Sequence, residues 1–355
     1  MHAPRPPSAH RGRGAAVQPP NRFERLAVEI DAEFAADQPG PRTQFFHDAS
    51  RTIISRNDSP DIPFGASINP YRGCEHGCAY CYARPYHEYL GFSSGLDFES
   101  RIVVKTEAPK LLRAELSSPK WQPQSLAMSG VTDCYQPVER RLEITRGCLE
   151  VLAEFRNPVG IVTKNHLVTR DRDHLAKLAA HDAACVFLSV TTLDTNLSSK
   201  LEPRASRPTH RLDAVRQLND AGIPAGVMVA PIIPGLNEHE IPAILDAAAA
   251  AGARFAGYTV LRLPYAVKDV FTTWLETHFP DRANLVLNRI RSLRHGNLNV
   301  SAWGERFHGA GIFAEEIARL FEVAARRAGL NRERRPLSTA AFRRPGPAQM
   351  ELFSA

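Results

Sequence analysis

Cys74, Cys78 and Cys81 fall within eight residues of a 355-residue chain, at C-x3-C-x2-C spacing. Three thiolates on one short loop can close around a single metal centre if the backbone curls back on itself, and Gly73 and Gly77 allow that. A structural zinc site takes four ligands, so zinc would need His76 or His87 as the fourth. An iron–sulfur cube held by three cysteines leaves one iron open, which is what a reactive cluster needs. Of the remaining cysteines, Cys148 lies on an apolar helix face and Cys185 begins a strand, so both read as core.

The elements that position this loop follow from hydrophobic periodicity. Residues 65–69, 125–132, 159–164, 185–191, 225–232 and 255–263 read as strands, rich in Val, Ile and Ala. After the first, a helix-compatible segment follows each one, as at residues 142–155, 172–181, 210–221, 238–251 and 267–277. Nearly continuous apolar strands are buried on both faces, which predicts a parallel sheet with right-handed crossovers. The expected fold is α/β, a partial (β/α)6 TIM-type barrel over 46–300 with its chemistry at the C-terminal strand ends. A basic Arg/Pro-rich tail over 1–45 and a second basic tail over 331–355 are expected to be disordered. A helical extension over 301–330 completes the domain organisation.

The cysteine motif, with Tyr80 directly before its last Cys and a βα array behind it, resembles the radical S-adenosylmethionine (radical SAM) superfamily over roughly residues 65–300. The resemblance implies a [4Fe–4S] cluster on Cys74, Cys78 and Cys81, and S-adenosylmethionine on the open iron. It also implies reductive cleavage of that molecule to a 5′-deoxyadenosyl radical, which abstracts a hydrogen from substrate. A flavodoxin or ferredoxin is the expected electron donor. Ser129, Gly130 and Thr132 stand at the turn expected to meet the methionine amino group, although the common Gly-Gly-Glu form is absent. Lys164, closing the third strand, is a candidate for the cofactor carboxylate, and Ser189 and Thr191 for its ribose. Arg204 is a second candidate for the carboxylate, with Glu202 holding it or binding ribose; the plain alternative is a surface ion pair. The turn at 231–238 resembles the superfamily's adenine-supporting turn.

Within the superfamily, Tyr82 after the triplet, the Thr163-Lys164 strand end and the Glu202-Pro203-Arg204 loop look most like spore photoproduct lyase and its bacterial relatives. The lyase repairs a thymine dimer in DNA, returning a hydrogen through a cysteine and tyrosines. Tyr80 and Tyr82 match the tyrosines by motif, whereas Cys134, the candidate hydrogen donor, is offset from the expected position.

Charge bears on the partner. The formal charge of +6 divides into +3 over residues 1–30 and +5 over residues 326–355, leaving the body at −2. Two basic ends are weaker support for a nucleic-acid cleft than a basic folded face would be. The final Gln349, Met350, Leu352 and Phe353 resemble the peptide with which bacterial replication and repair proteins dock on the sliding clamp, which would bring the enzyme to DNA. Two alternatives stay open: the same chemistry on a peptide or small metabolite, or a non-catalytic zinc or iron–sulfur nucleic-acid-binding protein. No apolar run spans a membrane and no signal peptide is visible, so a cytoplasmic protein is expected.

Overall fold

The computed structural model describes residues 10–24, 42–332 and 336–345. Two sheets carry the fold. The smaller joins β1 (Gln44–His47), β4 (Tyr71–Arg72) and β5 (Arg101–Val104) in the order β1-β5-β4. The larger holds β2 (Ile54–Arg56), β3 (Ala66–Ile68), β6 (Leu126–Met128), β7 (Val159–Thr163), β8 (Ala184–Ser189), β9 (Ala225–Ile232) and β10 (Ala256–Val260). Its order is β10-β9-β8-β7-β6-β3-β2; β2 pairs antiparallel to β3, and every other pair is parallel. The six parallel strands form a partial barrel, open between β10 and β2, and all six coincide with the expected ones to within a few residues.

Why these segments adopt these elements is legible locally. Val186 and Leu188 on β8, Ile161 on β7 and Val227 on β9 are fully buried, as central parallel strands require. Helix Ile144–Phe155 buries Ile144, Cys148, Leu152 and Phe155, a spacing of four and three residues that lays one apolar stripe against the sheet. Helix Thr195–Leu201 starts where the Asp194 side chain accepts from the Asn196 amide at 2.7 Å. Helix Pro208–Asp220 starts with a proline, whose missing N–H costs nothing at that position. The expected C-terminal extension contains helix Ile312–Arg327, which sets Phe321 4.7 Å from Tyr258 of β10.

The tails depart from expectation where they are described. Gly14 and Ala15 donate their amides to the Glu99 carboxylate at 3.0 and 2.9 Å, and Ala15 is 1% exposed. This strap needs no apolar period because one buried carboxylate holds it. At the other end Ser338 donates to Asp182 O at 2.9 Å, and Phe342 lies 6.3 Å from Phe155. Arg343 donates its amide to Phe155 O, and Arg344 its guanidinium to Trp121 O. Residues 336–345 therefore pack on the body, which corrects the expectation of disorder there. The terminal Gln349, Met350, Leu352 and Phe353 lie outside the described residues. Among the described residues no helix is long and apolar enough to cross a membrane.

Candidate active site

β3 and the two-residue β4 deliver the cysteine loop at the C-terminal edge of the parallel sheet. Gly73 and Gly77 adopt φ of +78° and +66°, the left-handed conformation that turns the loop back. The Cys74 amide donates to Phe98 O at 2.9 Å and the Ala79 amide to Leu201 O at 3.0 Å, which fixes the loop at both ends. Burial pushes all three thiols up, and Cys74 is raised further by Asp133 and by the neighbouring Cys78 and Cys81. The three thiols thus share one enclosed neighbourhood. Opposing cations stand around it: Lys164 and Arg211 act on Cys78, and Arg84 and Lys164 on Cys81. Such a donor set suits a group held by thiolates, whose negative charge those cations offset. Among the described residues no three His, Cys, Asp or Glu side chains converge as a site for a single ion.

His76 uses both ring nitrogens, one 3.3 Å from Asp133 and the other 3.2 Å from Asn165, so it is not a free fourth ligand. His87 packs 5.1 Å from Phe92 and 5.6 Å from Phe98, and its Nε2 is buried without a hydrogen-bond partner. Burial holds its ring down at about 4, so it is neutral near pH 7.

On one flank of the loop the polar groups satisfy one another. Glu202 is 2% exposed and accepts from Tyr80, Thr191 and Arg211. Arg211 also donates to Ser189 O at 2.8 Å and Ser206 O at 2.7 Å, and the Thr191 hydroxyl, with one proton to give, lies within reach of Ala230 O as well, at 3.0 Å. Burial alone would raise the Glu202 carboxyl, but Arg211 and then Lys164 outweigh it and hold it down at about 2. The expected pairing of Glu202 with Arg204 is corrected here. Helix Pro208–Asp220 delivers the buried Arg211 to Glu202 instead, while Arg204 turns to Glu75 at 3.3 Å and Thr43 at 3.3 Å.

The flank at the end of β6 is less complete. Ser129, at φ +80°, accepts the Cys134 amide at 2.9 Å, and Asn69 accepts the amides of Gly130 at 2.9 Å and Val131 at 3.1 Å. Gly130 O receives the Tyr82 hydroxyl at 2.8 Å. The Thr132 hydroxyl is buried with no partner. The Lys164 ammonium lies 5.8 Å from the Tyr80 ring centroid. Cys134 is fully buried in the main core with Tyr71, Met128 and Leu149, so the structure places it as a small core side chain.

Three supports went unread in the sequence. Asp133 accepts from Thr163 at 2.7 Å and from the Lys164 amide at 2.8 Å, tying β7 to the loop through His76; His76 holds its carboxyl at about 2 against burial. Gln136 accepts the Glu75 amide at 2.9 Å and donates to Gly73 O at 3.2 Å. Arg84, fully buried, donates to Cys78 O at 2.8 and 3.1 Å and pairs with Glu99, the carboxylate that also holds the strap.

Comparisons with known proteins identify the family and the fold. Residues 68–248 match the family model of the radical SAM superfamily. An uncharacterised protein of Mycobacterium tuberculosis (strain ATCC 25618 / H37Rv) is 35% identical over 297 residues, covering 82% of this chain and 83% of the relative. An uncharacterised protein of Methanocaldococcus jannaschii is 28% identical over 228 residues, 64% of this chain and 82% of the relative. Among solved structures, spore photoproduct lyase complexed with dinucleoside spore photoproduct superposes with a TM-score of 0.59 at 17% identity, covering 81% of this chain and 80% of that one. At that identity the likeness is one of fold.

Proposed function

The chain belongs to the radical SAM superfamily and is an enzyme, and from that premise we propose that it cleaves S-adenosylmethionine reductively and abstracts a hydrogen from a nucleic-acid substrate. The observation that carries the chemistry is the set of three neighbouring thiols, Cys74 and Cys78 buried and Cys81 partly so, with Lys164, Arg84 and Arg211 around them. These cysteines would hold a [4Fe–4S] cluster, which when bound supplies the electron that breaks the sulfur–C5′ bond of S-adenosylmethionine. Around it the protein's part is placement. Thr132 offers an unspent buried hydroxyl and Lys164 an ammonium to the amino-acid end of the cofactor. Glu202, Thr191 and Ser189 support the wall through Arg211 and Tyr80.

The nucleic-acid assignment carries over the dinucleoside bound to the structural neighbour. Tyr82, half-exposed beside Cys81, is the side chain best placed to pass a hydrogen to or from a substrate. Enclosure of Cys134 in the core favours a second reading, the same radical chemistry on a peptide or small metabolite. The full chain, reconstituted anaerobically with iron and sulfide and given S-adenosylmethionine and dithionite, is expected to form 5′-deoxyadenosine, and Cys81→Ala to form none. Failure of the intact protein to form it, with its cluster verified by absorbance, would overturn the assignment of chemistry.

A further inference from the structure

Arg262 lies two residues beyond β10, with its guanidinium 5.2 Å from the centroid of Tyr82 and 5.2 Å from that of Phe307. Among the described residues no carboxylate pairs with it, and its Nε is buried without a hydrogen-bond partner. Its cationic neighbours are already committed. Arg306 pairs with Asp61, and Arg294 donates to Glu305 O at 2.6 Å and Leu261 O at 2.9 Å. A guanidinium flanked by two rings, with its Nε unspent and the nearby Asp61 already paired with Arg306, is suited to receive an anion from outside.

From Tyr82 a line of exposed rings leads away across the surface. Tyr86 is 54% exposed and Tyr89 67%, with their centroids 6.5 Å apart. Phe23, from the N-terminal strap, lies 4.9 Å from Tyr89. The Arg22 guanidinium, paired with Glu88, sits over Phe23 at 4.9 Å and over Tyr265 at 3.8 Å. Such a concentration of exposed rings runs against the cost of wetting apolar surface, and the rings are stiffened by contact with one another. One end of the line is Tyr82, next to the ligand Cys81.

We propose that this line is a track for single-stranded nucleic acid, with bases stacking on Tyr86, Tyr89 and Tyr265 and a phosphodiester on Arg262, leading one nucleotide toward the thiols. Alternating flat faces and anions are the chemistry that exposed rings and an unpaired guanidinium recognise, and a duplex hides its base faces in its own stack. The inference rests on the nucleic-acid reading above and names the form of nucleic acid and the surface that takes it.

The test is fluorescence anisotropy of a labelled oligothymidylate of about ten nucleotides with the full-length reconstituted protein, read beside the same sequence as a duplex. Wild type is expected to bind the single strand more tightly than the duplex. Tyr86→Ala combined with Tyr89→Ala should weaken binding by about 10- to 100-fold, while Tyr86→Phe combined with Tyr89→Phe, which keeps both rings, should bind as wild type does. Arg262→Gln should reduce the slope of log affinity against log salt by about 0.7. Wild-type binding with all variants unchanged would overturn the track and leave the nucleic-acid reading standing. No binding by wild type, in protein that still forms 5′-deoxyadenosine, would overturn both. Equal preference for the duplex would overturn the track alone.

Discussion

The two flanks of the cysteine loop are built on opposite plans. At the ends of β8 and β9, Glu202, Arg211, Tyr80 and Thr191 consume one another's hydrogen bonds and are closed to solvent. At the end of β6 and beyond β10, the Thr132 hydroxyl and the Arg262 Nε are enclosed but unspent. Buried polar groups without partners cost free energy, so among the candidate contacts on the two flanks the ones left unpartnered mark where a ligand would complete the structure. The difference teaches that candidates of the same chemical type, a hydroxyl on each flank, divide into support and contact according to whether the protein has already used them.

The largest effect should follow from breaking the closed flank. Glu202→Ala leaves the fully buried Arg211 without its carboxylate and should cost about 3–5 kcal/mol in chemical denaturation. A loss under about 1 kcal/mol would mean that this flank is no more closed than the other. The same pair predicts an acid response. The Glu202 carboxyl is held at about 2, below its ordinary 4.5, so its stabilisation is complete above about 4.5 and is lost as pH falls toward 2. Denaturation midpoints between pH 5 and pH 2 should fall less steeply in Glu202→Gln than in wild type.

A smaller and opposite effect is expected on the open flank. Thr132→Val removes a buried hydroxyl with no partner, so stability should hold or rise by up to about 1 kcal/mol. Affinity for S-adenosylmethionine, measured by calorimetry on the reconstituted protein, should fall by about tenfold. A large loss of stability with unchanged affinity would make Thr132 part of the support. The smallest effect belongs to Cys134→Ala, which should cost about 1 kcal/mol and leave 5′-deoxyadenosine and product ratios unchanged. A shifted product ratio would return Cys134 to the chemistry.

How far these features were legible depended on whether their cause was local. β7, β8 and β9 declare themselves through short, mostly apolar runs rich in Val, and the cysteine loop through its spacing and glycines. Arg211 and Glu202 are only nine positions apart, yet their pairing depends on a turn between two helices, and no period announces it; Arg204, nearer in sequence, was the natural partner to expect. Asp133 was visible within its turn, but its bond to His76 spans two strand ends. β1 and β5 are short and β1 is exposed along its length, so hydrophobic patterning passed over the smaller sheet. The strap was misread because composition weighs burial of side chains, whereas Gly14 and Ala15 are held by their backbone amides.

The strap also imposes a timetable. Gly14 precedes its partner Glu99 by 85 residues in the chain, and at ribosomal speeds that interval lasts roughly 4–17 s. The strap is therefore synthesised before the carboxylate that holds it and must wait for it. It rests beside the Arg84–Glu99 pair, against Gly77, where a Cβ on Gly14 would lie 1.8 Å from the carbonyl oxygen. During nascent growth the cysteine loop passes through a period uncovered on that side, and closure of the strap ends it.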